Sequence, residues 1–126
     1  MKYQNILLID DDVEDQEIFT EALKEVSDRL KCTTMTNAKE ALSQLDKKEL
    51  HPDLIFLDLN MPIMTGIEFL KKIKSLDHLK SLPVIIFSTS SNPSTIAETT
   101  ELGAIDFITK PSRFNDLVEI LEPLFV

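Results

Sequence analysis

Tryptophan is absent, and tyrosine and cysteine occur once each, as Tyr3 and Cys32. A lone cysteine can form no internal disulfide, so the chain is expected in a reducing cytoplasm with Cys32 a small buried hydrophobe. The absence of tryptophan and the single tyrosine, with no phosphate-cradling Gly/Ser/Thr loop after the first apolar run, argue against a flavin-carrying electron-transfer protein. Basic residues are also scarce: 13 Lys and Arg stand against 22 Asp and Glu, giving a net charge of −9. Such a surface repels phosphate backbones and anionic lipid, so no direct binding of nucleic acid or membrane is expected. Long apolar runs are missing too. Ile6-Leu7-Leu8-Ile9 leads at once into three aspartates, too short and too quickly charged for a signal peptide or a membrane span.

What is present is regular. The 126 residues suit one domain, 1–126, burying roughly two-thirds of its unfolded surface. The sequence stops directly after its last helical stretch, so no output domain is expected. Three unbroken apolar runs, at residues 6–9, 54–57 and 84–87, read as strands covered on both faces. Residues 32–36 and 104–109 are less apolar and read as edge strands.

Helical spacing fills the intervals. Ile18, Phe19, Ala22, Leu23, Val26 and Leu30 mark the first helix, with Asp12 or a neighbour as its cap, and Ala38, Ala41, Leu42 and Leu45 mark the second. Thr65-Gly66-Ile67-Glu68 reads as a capping box opening a third helix that buries Ile67, Leu70 and Ile73. The fourth opens at Pro93, ends at Gly103 and is weak, with only Ile96, Ala97 and Leu102 on its apolar face. The fifth starts near Ser112 and buries Leu117, Ile120, Leu121 and Leu124.

Strands alternating with helices in this way predict an α/β fold, a doubly wound five-stranded parallel sheet with five helices. Placing the three apolar strands centrally gives the order 2-1-3-4-5, with its switch point between the first and third strands. Asp10 and Asp11 end the first strand, Asp58 the third, Ser88 the fourth and Lys110 the fifth. All therefore converge on one rim of the sheet. Two ionised carboxylates about 4 Å apart repel by roughly 4 kcal/mol at an effective dielectric of 20. Three of them call for a cation or a retained proton, and Mg²⁺ suits one or two carboxylates with waters and phosphate oxygens. Adding a hydroxyl and an ammonium completes a phosphoryl-transfer site with Asp58 as nucleophile.

The string Leu57-Asp58-Leu59-Asn60-Met61-Pro62 with Gly66, the acidic pair Asp10-Asp11, Ser88 and Lys110-Pro111 together resemble a response-regulator receiver domain over essentially the whole chain. The resemblance implies the flavodoxin-like fold, phosphorylation on Asp58 and Mg²⁺ held by Asp10, Asp11, Asp58 and the backbone carbonyl of Asn60. Asp11 is then the direct ligand and Asp10 acts largely through water. Ser88 falls on the hydroxyl that binds the phosphoryl group, Phe107 on the switch aromatic, and Lys110 on the lysine whose bond to proline is usually cis in the family. Ser88 stands for the commoner Thr, Phe107 lacks a hydroxyl, and Thr65 replaces a frequent Asp beside Gly66.

Implied partners are a histidine kinase or histidine phosphotransfer protein, and a downstream protein reading the face of the fourth helix, fifth strand and fifth helix. The protein is expected to be a monomer or weak dimer, most similar to single-domain members near phytochrome-type and hybrid kinases. It assists only its own phosphorylation and dephosphorylation and is otherwise no enzyme. Two alternatives are weaker. A haloacid-dehalogenase-type phosphatase needs Thr or Val where Glu14 stands, and a non-phosphorylated pseudo-receiver typically lacks one of the site residues present here.

Overall fold

The computed structural model describes residues 3–125. Its elements run β1 (Asn5–Ile9), α1 (Val13–Val26), β2 (Lys31–Met35), α2 (Ala38–Asp46), β3 (Leu54–Leu57), α3 (Gly66–Ser75), β4 (Val84–Ser88), α4 (Pro93–Glu101), β5 (Asp106–Thr109) and α5 (Phe114–Phe125). The five strands pair in parallel in the order β2-β1-β3-β4-β5, as expected from the three apolar runs. Among the described residues no helix is long and apolar enough to cross a membrane.

Period-two alternation divides the apolar strands between two cores. Leu7, Ile9, Ile55, Leu57, Val84 and Ile86 face Ala41, Leu45, Phe69, Leu70 and Ile73 of α2 and α3. Ile6, Leu8, Leu54, Phe56, Ile85 and Phe87 face Phe19, Leu23, Leu117 and Leu121 of α1 and α5. Both layers close on buried aliphatic surface, worth about 25 cal/mol per Å² removed from water. Phe19, Phe56 and Phe87 form an aromatic cluster under β1, β3 and β4, with Phe56 edge-on to Phe19 and Phe87 at 4.8 and 6.2 Å and Phe19 tilted against Phe87 at 5.3 Å.

Caps fix where the helices begin. Asp12 accepts from Asp15 N, Asn37 from Glu40 N and Asn92 from Thr95 N, while Thr65 and Glu68 form the full capping box. Several expected boundaries and burials differ. β5 starts at Asp106 rather than at 104, and α5 at Phe114 rather than near Ser112.

Ile18 and Ile120 are exposed, because each flanks a narrower buried stripe (Phe19, Ala22 and Leu23; Leu117 and Leu121). Ile18 instead lines a cavity of about 300 Å³ with Phe87, Lys110 and Phe114. In α3, Ile67 is only half-buried and Phe69 takes the core position.

In α4 the expected face is turned outwards: Ile96 and Ala97 are exposed and Thr99 is the buried residue. The Thr99 hydroxyl donates to Ile96 O at 3.1 Å, so its polarity is satisfied inside the helix and its methyl can face the core. With one buried residue, α4 is held to the domain more lightly than the other helices.

Candidate functional site

Asp10, Asp58 and Lys110 each stand one residue past the end of β1, β3 and β5, where the ladder runs on by one bond, and Ser88 is the last residue of β4. Asp10 N donates to Met35 O and Asp58 N to Ile9 O, both at 3.0 Å, and Lys110 N donates to Ser88 O at 2.8 Å. Asp10, Asp58, Ser88 and Lys110 are therefore held by backbone pairing before any side chain is considered. They meet at the switch point between β1 and β3, the place where open α/β sheets take ligands.

Lys110 is the hub. Its Nζ donates to Asp10 Oδ2 at 2.7 Å and to Asp15 Oδ2 at 2.8 Å, and stands 3.7 Å from Asp58 Oδ2. It also lies 5.6 Å from the centroid of the Phe87 ring, within range of a cation–π contact. Asp10 Oδ1 accepts from Asp12 N at 3.0 Å, and Asp58 Oδ1 accepts from Leu59 N at 2.8 Å. Beneath them Gln16 is buried, and its Nε2 donates to Asp10 O at 2.7 Å and Met35 O at 3.1 Å, clamping β1 to β2 at the rim. Across the mouth, Asn60 Nδ2 donates to Ser90 Oγ at 3.2 Å, and Ser90 N donates to Ser88 Oγ at 3.3 Å. Ser88 is fully buried, Asn60 is exposed, and Phe107 is half-buried against the α2–α3 core.

The electrostatics follow from burial. Desolvation pushes the Asp58 carboxyl above its ordinary range. The Lys110 charge opposes that rise, and the neighbouring Asp10 charge adds to it. Asp10 is raised by the same desolvation, against the hydrogen bonds from Lys110 and Asp12. Burial alone would lower the Lys110 ammonium, but its hydrogen bonds to Asp10 and Asp15 and the charges of Asp10 and Asp58 together raise it. Asp10, Asp15 and Asp58 thus share the single Lys110 ammonium, and burial disfavours the charge on Asp10 and Asp58.

Carboxylate oxygens of Asp10, Asp11 and Asp58 all lie within 4.8 Å of one another, two of the acids buried and Asp11 exposed. Hard oxygen donors at this spacing fit Mg²⁺. The structure thus joins Lys110 to Asp10 and Asp58, sets the Asp11 carboxylate within 4.8 Å of both acids, and links Asn60 to Ser88 through Ser90. Phe107 lies apart from that network. Among the described residues no peptide bond is cis, so the Lys110–Pro111 bond is trans, against the expectation from the resemblance.

Three participants were not read from the sequence. Asp15 was not singled out, although its place in the first turn of α1, close after Asp10, was a usable signal. Gln16 and Phe87 carried none, since their roles arise only from packing.

The geometry defines a cation-seeking acidic pocket at the switch point of a doubly wound sheet. The chain belongs to the response regulator receiver domain family, which it matches over residues 6–122. Receiver domains act generally as phosphorylation-activated switches in two-component signalling, bind Mg²⁺ at an acidic pocket, and work with histidine kinases or phosphotransfer proteins.

Among its relatives, the rice (Oryza sativa) two-component response regulator ORR3 is 34% identical over 114 residues, spanning 90% of this chain and 84% of that protein. The solved structure of the phosphorylated cyanobacterial phytochrome response regulator RcpA superposes with a TM-score of 0.87 at 32% identity, covering 97% of this chain and 91% of that one. The protein-glutamate methylesterase/protein-glutamine glutaminase of Bacillus licheniformis is 39% identical over 109 residues, 85% of this chain but 29% of that protein.

Proposed function

We propose that Asp58 accepts a phosphoryl group from a phosphohistidine of a kinase or phosphotransfer protein, and that the resulting aspartyl phosphate switches the surface around α4, β5 and α5. The observation that carries this reading is the Lys110 ammonium, bonded to Asp10 and Asp15 yet only 3.7 Å from the Asp58 carboxylate.

In the transfer, an Asp58 oxygen forms the new P–O bond as the P–N bond breaks. The imidazole leaves with that electron pair, which a solvent proton then neutralises. Leu59 N–H orients the Asp58 carboxylate. Lys110, kept charged, turns from the carboxylates to the equatorial phosphoryl oxygens, and the Ser88 hydroxyl donates to another. Mg²⁺, when bound, supplies positive charge to the phosphoryl oxygens. Asp10, Asp11, Asp58 and the carbonyl of Asn60 would hold it. Asp11 is the exposed acid free to ligate directly, while both Asp10 oxygens already accept hydrogen bonds, which fits a role through water.

For output, the lightly held α4 and the half-buried Phe107 are the elements with room to move. Pulling Ser88 toward the phosphoryl group would open space for the Phe107 ring. Ile96, Ile105 and Ile120 are exposed on α4, before β5 and on α5, giving a partner apolar contacts there. The chain then catalyses only its own phosphorylation and dephosphorylation. A cytoplasmic setting suits a single Cys32, whose thiol is half-buried and pushed by burial up to about 12.

Intact-mass measurement after incubation with acetyl phosphate tests the acceptor. A single phosphoryl adduct is expected with Mg²⁺, and none when EDTA is present during the incubation or in Asp58→Asn. Lys110→Ala should retain part of the adduct while losing the structural response. An adduct that persisted in Asp58→Asn would place the acceptor elsewhere.

A further inference from the structure

The connection after Asp58 contains a strained residue, Ile63. Met64 N donates to Pro62 O at 2.8 Å, closing a three-residue turn with Ile63 at its centre, and Ile63 has φ 72°. A γ-turn with positive φ at its centre is rare and strained, and a β-branched residue there is an outlier. Packing does not offset that strain. Ile63 is 75% exposed, more than Val13 and Ile105 at 55% each or Ile18 at 45%. Glycine would adopt the same backbone freely and expose no apolar surface. Two unfavourable features thus coincide at one position, and residues of that kind concentrate where a protein binds or reacts.

The turn is rigidly placed beside the acceptor. Gly66 N donates to Leu59 O at 2.9 Å behind it, Met61 is buried, and Asn60 is tied to Ser90 in front of it. Asp58 itself is only 6% exposed, on the floor of the rim. A phosphoryl group attached to another protein reaches it only if that protein's surface presses on the surrounding connections. Much of the remainder of that rim is acidic, with Asp11, Asp12, Glu14 and Glu68 all exposed. Ile63 is the most exposed large apolar side chain there, ahead of Val13 between Asp12 and Glu14.

We infer that Ile63 is a docking anchor for the phosphohistidine-bearing protein, its turn holding the side chain outward to enter an apolar hollow beside the phosphorylated imidazole. This rests on the reading of Asp58 as acceptor. Ile63 touches no reacting atom. It acts by lowering the concentration of partner needed for transfer.

Phosphotransfer profiling tests this. Each phosphorylated histidine-kinase or phosphotransfer domain of the source organism is mixed with the wild-type chain, and the one transferring fastest becomes the probe. With that probe, Ile63→Gly should lower kcat/KM about tenfold or more, chiefly through KM, as expected for losing a buried aliphatic anchor. Ile63→Leu should keep most of the rate. Labelling by acetyl phosphate with Mg²⁺ should stay within about twofold of wild type in both variants, and Ile63→Gly should melt at a higher temperature as the strain is released.

Wild-type transfer from the probe in Ile63→Gly would overturn the inference. So would an equal slowing with acetyl phosphate, which would make Ile63 a support of the acceptor loop. Failure of the wild-type chain to take phosphoryl from either donor would instead bring down the reading of Asp58.

Discussion

Asp58→Asn is expected to lose all phosphoryl uptake and yet to be more stable than the wild-type protein in magnesium-free buffer at neutral pH. The Asp58 carboxyl is raised chiefly by burial, and the Asp10 charge adds to that. An acid whose folded pKa lies above its unfolded value binds its proton more tightly in the native state. It therefore destabilises the fold once the pH exceeds the folded value, and the penalty is relieved as the pH falls through that value toward 3.8. An amide keeps the shape and the Leu59 N–H bond while removing the charge. The amide lifts that penalty, so the melting temperature of Asp58→Asn should stand above that of the wild-type protein.

The wild-type protein should also become more stable as the pH is lowered from 7 toward the raised carboxyl range, and Asp58→Asn should show less of this rise. Lys110 works at the other end. Its pKa is raised, so its stabilisation is complete below the ordinary lysine value of 10.5 and is lost only as the pH climbs through the higher folded value. Magnesium should reverse the ranking, since a cation at tenfold its dissociation constant adds about 1.4 kcal/mol to the protein that binds it. Calorimetric melting of both proteins with and without Mg²⁺ provides the check. A destabilised Asp58→Asn in EDTA would mean that Asp58 is a structural partner of Lys110 rather than a strained acid.

Gly66→Ala should be the most damaging small substitution in the chain. A Cβ at Gly66 would lie 2.4 Å from Asp58 O and 2.7 Å from Leu59 Cα, both backbone atoms that cannot rotate away. The first turn of α3 would have to move off the segment that carries the acceptor. Overpacking against fixed backbone costs about 3 kcal/mol or more. Urea unfolding should show that loss, and the folded fraction should take phosphoryl from acetyl phosphate more slowly, because Asp58 and Leu59 shift together. An unfolding midpoint within error of wild type would show that the connection is softer than its contacts imply.

Much of this was legible in the chain because the relevant signals are local. Three apolar runs ending in Asp10, Asp58 and Ser88 fix the central strands, and strand direction then brings their ends to one rim whatever the details of packing. The capping box at Thr65 and Glu68 and the helix-opening Pro93 are likewise short-range features. What escaped is tertiary in origin. Whether Ile18 or Phe19 turns inward depends on where α5 lies, and the burial of Thr99 in place of Ile96 depends on the angle at which α4 leaves its Asn92 cap. Asp15 became visible as a site residue only once β5 had delivered Lys110 to it, from 95 positions away. Ile63 follows an informative Pro62, yet no periodicity distinguishes a strained turn from a relaxed one.

Hydrogen exchange on the wild-type chain and Asp58→Asn, each with and without Mg²⁺ and beryllofluoride as the phosphoryl mimic, bears most directly on the claim that charge at Asp58 switches a distant surface. Changed protection is expected across residues 91–121, covering α4, β5 and the start of α5, in the wild-type protein only. Changes confined to α1 and α2, or the same changes in Asp58→Asn, would contradict it.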